Sequence, residues 1–162
     1  MTQDSASAIE QWRQVLLDFP EVEEAQAALE ARFHLVDHLE EMEQLLEPIY
    51  RDQGKWQKLI DLNEALLSQG VVQDSMRREE LYSESGELLR DHLNDPRGAL
   101  VYFQEAFKLN PTDADVRERF LRSVDELESW ELGRDTLAQT VALISDPELA
   151  LEDHLRIARW EE

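Results

Sequence analysis

The segment NDPRGALVYFQEAFKLNP, residues 94–111, carries the clearest structural instruction in the chain. Asn94-Asp95-Pro96 reads as a turn, with Asp95 placed to cap a helix and Pro96 at its first position. Ala99, Phe103 and Ala106 then recur on one helical face. Two packed helices need a small residue where their backbones cross, a bulky one a turn later, and then another small one. Pro111 ends the segment, because proline removes a donor and restricts the residue before it.

The same spacing occurs earlier in the chain. Ala8, Trp12, Val15 and Pro20 stand at the intervals of Ala99, Phe103, Ala106 and Pro111. A longer interval also recurs: Trp56 and Trp130 are 74 residues apart, as are Leu81 and Leu155. Such self-similarity predicts stacked helix pairs, since one pair cannot bury its apolar face alone.

Helical periodicity extends through most of the chain. It predicts helices over 6–18, 22–36, 38–52, from Trp56 to Leu67, and over 75–92, 96–109, 113–127 and 130–144. A last helix is predicted from residue 148 onward. Asp37-His38-Leu39-Glu40 has capping-box spacing and predicts a break near 37; a single helix over 22–52 is the alternative. Gly54 and Gly70 read as stops, and Asp146-Pro147 repeats the Asp-Pro start. No linker divides the chain, so residues 1–162 read as a single domain.

Of the 162 residues, 42% are hydrophobic, enough for a packed core. The 37 acidic and 16 basic residues give a net charge of −21. That balance offers no basic footprint for phosphates, so nucleic acid and anionic membrane surfaces are not expected partners. A basic protein partner fits it better. The competing reading is that the acid keeps a helical surface solvated. The absence of cysteine excludes disulfides, thiolate metal sites and cysteine nucleophiles. No basic region followed by an apolar run opens the chain, and the longest apolar run, Ala99 to Phe103, is far short of a membrane span. The expectation is a cytoplasmic protein.

Candidate chemistry is sparse. His34 and His38 share a helix face if the helix runs through Asp37, and two such histidines chelate zinc given a third ligand. Leu35 stands where a metalloprotease motif needs Glu, so surface histidines are the better reading. His92 and His154 are isolated. No Gly-rich phosphate loop and no Gly-x-Ser-x-Gly elbow is present. The chain is expected to be no enzyme and to hold no cofactor. Trp12, Trp56, Trp130 and Trp160 fall at helix starts and predicted core positions. Thirteen Arg against three Lys make basic islands at Arg77-Arg78 and at Arg117, Arg119 and Arg122. Arg119 and Arg122 lie off the face defined by Phe120 and Val124, and surface ion pairs with neighbouring Glu are the plain reading.

Residues 96–111 resemble the second half of the tetratricopeptide repeat, whose pattern places Ala, Phe, Ala and Pro there. Leu46 and Tyr50, followed by Gly54, Trp56, Leu59 and Leu66, meet its first-half spacing. Phe120, Val124, Gly133, Leu137 and Thr140 follow it loosely. Glu47 and Leu121 depart from it, standing where the family prefers a small residue. LEPIYRDQGKWQKLIDLNEALL also resembles the long repeat arrays of bacterial scaffold proteins. The resemblance implies an all-α fold, a right-handed superhelical solenoid of about nine short antiparallel helices (TPR-like).

The function it implies is a non-catalytic protein–protein interaction scaffold that holds a partner peptide or helix in its groove. First helices of pairs line that groove in the family, which selects Arg78, Tyr82, Arg119 and Arg122 as partner-binding residues. The alternative is a structural repeat module that self-associates or stacks on further repeats. HLRIARWEE resembles EELYSESGELL, which predicts a segment of a longer array or a capping helix. Exposed Ile157 and Trp160 would favour the segment, and their burial would argue against it.

Overall fold

The computed structural model describes residues 2–35 and 38–161. Nine α-helices and no strand occur among them. They are α1 (Thr2–Asp18), α2 (Glu23–Glu30), α3 (Leu39–Asp52), α4 (Trp56–Ser68), α5 (Ser75–Asp91), α6 (Pro96–Leu109), α7 (Ala114–Glu126), α8 (Trp130–Thr140) and α9 (Pro147–Trp160). A 3₁₀ turn, Val141–Leu143, follows α8. The chain divides into two compact units, Met1–Gln73 and Asp74–Glu162.

In the first unit α1 packs on α2 and α3, and α3 on α4. Leu16, Leu29, Leu39, Met42, Leu46, Tyr50, Leu59 and Leu66 are buried there. Buried Gln26 ties the turns together: its Nε2 donates to Pro20 O at 2.6 Å, and its Oε1 accepts from Lys55 Nζ at 2.8 Å. Gly54 and Gly70 end α3 and α4 with φ of 63° and 66°, a backbone that glycine adopts without Cβ strain. Pro48 sits inside α3.

The predicted helix over 22–36 ends early. After Glu30 the backbone bonds tighten, with Phe33 N donating to Glu30 O and Leu35 N to Arg32 O. Arg32 Nη1 donates back to Ala28 O, satisfying a carbonyl at the helix end. The Glu30 carboxylate meanwhile accepts from Tyr50 Oη and Lys58 Nζ, each at 2.7 Å. Tertiary contacts therefore override the periodicity, and the continuous helix over 22–52 is not formed. Val36 and Asp37, the latter the predicted cap, lie outside the described residues. His38 precedes α3, and its side chain makes no capping bond.

Burial raises the Tyr50 hydroxyl pKa far above its usual 10.0, and the hydrogen bond to Glu30 raises it further. The neutral phenol is thus the form the folded state holds. Its contribution to stability is complete below pH 10 and is lost progressively as pH rises above it, because the unfolded chain ionises first. Urea unfolding of Tyr50→Phe and of the parent chain should therefore converge between about pH 10 and pH 11, starting from a difference of roughly 1–2 kcal/mol at pH 8.

In the second unit α5 packs on α6, α6 on α7 and α8, α7 on α8, and α8 on α9. Aspartates cap four of its five helices. Asp74 accepts from Arg77 N, Asp95 from Gly98 N, Asp113 from Asp115 N and Val116 N, and Asp146 from Glu148 N and Leu149 N. Both Asp-Pro starts read from the sequence are formed, with proline in the first turn of α6 and α9. Ala99, Phe103 and Ala106 are buried as their spacing predicts. Gly133, Leu137 and Thr140, each 34 residues later, are buried in α8. Phe107 stacks on Phe120 at 4.8 Å between centroids, joining α6 to α7.

Three readings are corrected. The tryptophans are not core residues: Trp12, Trp56 and Trp160 are half-buried and Trp130 is 45% exposed. Trp56 and Trp130 open their helices and Trp160 ends one, so these indoles stand at the ends of the packed faces and are covered in part. The repeat interval holds for Trp56 and Trp130, which open α4 and α8. It fails for Leu81, which is buried, and Leu155, which is exposed. Helix registers are set by caps, and α5 and α9 start from Asp74 and Asp146, a different interval. Arg117 is no surface residue, as described below. Ile157 and Trp160 are both half-buried, a result that favours neither form of the C-terminal reading.

Candidate functional site

Counting from the aspartate caps aligns α5, α7 and α9. The seventh residue after each cap is Leu81, Phe120 and Asp153, and all three are buried. The fourth is Arg78, Arg117 and Ala150. Asp153 is fully buried, and Arg117 supplies its counterion with a side chain 8% exposed. The pair is bidentate: Arg117 Nη1 donates to Asp153 Oδ2 at 3.2 Å, and Nη2 donates to Oδ1. Nη1 also donates to Pro111 O at 2.8 Å, and the guanidinium lies 5.6 Å from the Phe107 ring centroid. Two further pairs run between alternate helices, Arg119 to Glu87 at 2.9 Å and Arg156 to Asp125 at 3.3 Å. Charged side chains thus link α5 to α7 and α7 to α9.

The four residues selected from the sequence sit on the two linked helices α5 and α7. Arg78 is half-buried in α5, and its Nε is buried without a hydrogen-bond acceptor. Tyr82, one turn on, is half-buried, with its ring 6.3 Å from that of Tyr102 on α6. Arg119 is engaged by Glu87 across the helices. Arg122 is exposed and pairs with Glu118 at 3.5 Å on its own helix. Arg119 and Arg122 thus each sit beside a carboxylate, whereas Tyr82 lies against α6, and Glu87, five positions after Tyr82, projects about 140° round α5 from it. Together the two helices offer hydrogen-bond donors, carboxylates and one aromatic ring.

His34 lies in the turns after α2 and His38 before α3, so the helix that would align them is not formed. Among the described residues no group of three or more histidines and carboxylates is arranged to hold a metal ion. No helix among them is long and apolar enough to cross a membrane. In the first unit a cleft of about 330 Å³ opens along α1 and α3, lined by Arg13, Leu17, Glu41, Gln44 and Leu45.

Two features escaped the sequence reading. Asp153 looked like one more surface acid in an acidic chain; its register from the Asp146 cap was the signal. The second is the exposure of Leu151 and Leu155, four residues apart on α9. No family model matches this chain, and no curated protein or solved structure matches it.

Proposed function

We propose that the second unit is a non-catalytic interaction scaffold, a TPR-like right-handed solenoid of antiparallel helix pairs. In this reading α5, α7 and α9 are the first helices of successive pairs, and their common face holds a peptide or helix of a partner protein. The ion pairs that link α5 to α7 and α7 to α9 are the observation that carries it. They join alternate helices, which supports the reading of stacked pairs. Arg78, Tyr82, Arg119 and Arg122 are the anchors on that face, with Tyr82 supplying apolar area at low entropic cost. The net charge of −21 favours a basic segment, which would meet Glu87 and Glu118 between the arginines.

Peptide display against the intact chain tests this. A random helical library is selected on the parent protein, and the enriched peptides are titrated against Glu87→Lys/Glu118→Lys and Tyr82→Ala by calorimetry. Enriched peptides should carry Lys or Arg beside an apolar anchor. Each variant should lose at least about tenfold in affinity, the effect of one lost anchor. Selected peptides that bind both variants as tightly as the parent would place binding elsewhere.

A further inference from the structure

Helix α9 sets Leu149, Ala150, Ile157 and Trp160, all half-buried, around one fully buried carboxylate. Its buried side holds a carboxylate, Asp153, and its solvent side holds two leucines. Leu151 is 58% exposed and Leu155 61%. Glu148, Glu152, Ala158 and Arg159 complete the outer stripe, all exposed and at helical spacing. A single exposed leucine is ordinary, but two aligned on a helix that buries an aspartate mark a surface with a partner.

We propose that this stripe is the contact between two copies of the chain, packed with their α9 helices antiparallel about a two-fold axis. The pattern is complementary to its own reverse. An axis through the position of Asp153 sets Leu151 of each copy beside Leu155 of the other. It also brings Glu148 at the N-terminal end opposite Arg159 at the C-terminal end of the other copy. Such an isologous contact satisfies every pairing twice. The two helix dipoles then oppose, which also favours the antiparallel arrangement. Counted from the caps, Leu151, Glu152 and Leu155 of α9 take the register of Glu118, Arg119 and Arg122 of α7, so this contact occupies the α9 end of the proposed binding face and leaves α5 and α7 to the peptide.

The contact is small. A 14-residue helix is about 21 Å long. One stripe of it buries less than the roughly 1,200–2,000 Å² of stable complexes. The net charge of −21 on each copy adds long-range repulsion that salt relieves. The dimer is therefore weak, concentration-dependent and tighter at high salt.

Sedimentation equilibrium of the full chain, up to on the order of 1 mM protein and at two salt concentrations, reads this directly. The parent should reach a measurable dimer fraction, and Leu155→Gln, which keeps the net charge and the helix ends, should lose at least about tenfold in association. Glu148→Arg and Arg159→Glu shift the net charge by two units in opposite directions. Repulsion between whole copies alone predicts that the first strengthens association and the second weakens it. The antiparallel contact predicts that both weaken it and that the double variant, with the parental net charge, returns to within about threefold of the parent. Circular dichroism confirms that each variant keeps its helices. A monomer at every concentration would overturn the proposal. So would unchanged association in Leu155→Gln, or a double variant as weak as the singles.

Discussion

Replacing Asp153 with alanine is expected to destabilise the second unit by about 3–5 kcal/mol, the cost of leaving a buried charge without its partner. Arg117 would keep its bond to Pro111 O and its place against Phe107, but water reaches it poorly at 8% exposure. The loss should appear first in α9, since Asp153 is the one residue of that helix buried in the described chain. Hydrogen exchange should show α9 and α7 amides opening well before those of α5 and α6.

The pair need not add net stability. The same register holds Leu81 and Phe120 in α5 and α7, so the site accepts an apolar side chain. Arg117→Met/Asp153→Leu should therefore lie within about 1–2 kcal/mol of the parent, the Pro111 carbonyl losing its donor being the main cost. A double variant as unstable as Asp153→Ala would mean that the charge pair supplies stability that packing cannot.

The second large effect is at Phe103, where truncation to alanine should cost about 3–5 kcal/mol. Phe103 is buried, and Gly86 of α5 faces its ring so closely that a Cβ there would lie 2.5 Å from Cε1. The Arg90 guanidinium, one turn along α5 from Gly86, sits 5.5 Å from the ring centroid. Gly86→Ala gains roughly 1 kcal/mol of helix propensity but overpacks the crossing by about 1–3 kcal/mol. It should destabilise the parent and stabilise Phe103→Leu, where the ring is gone. That reversal of sign in a urea-unfolding cycle reports the close approach of α5 and α6. Equal effects in both backgrounds would show that Gly86 and Phe103 do not touch.

Local chemistry was legible where short-range rules govern it. The Asp-Pro starts, the glycine stops at Gly54 and Gly70, and the small–bulky–small spacing of Ala99, Phe103 and Ala106 depend on neighbours in the chain. Features set by the surroundings were not. Nothing in residues 31–35 announces the end of α2; the Glu30 contacts with Tyr50 and Lys58, 20 and 28 positions away, decide it. The burial of Asp153 depends on Arg117, 36 positions away, and the outward turn of Leu151 and Leu155 follows from that choice. Of the four site residues, the sequence placed Arg78 and Tyr82 on one helix and Arg119 and Arg122 on another. The Glu87 link between those helices needed the structure.

The most direct test of the proposed binding face is site-specific photocrosslinking. A benzophenone amino acid is placed at position 82, at position 122, and at the exposed Val101 on α6 as a control. Each protein is irradiated with a display-selected basic peptide. The account predicts adducts from positions 82 and 122 that the unlabelled peptide competes away, and none from position 101. Adducts from position 101 with none from 82 or 122 would contradict it.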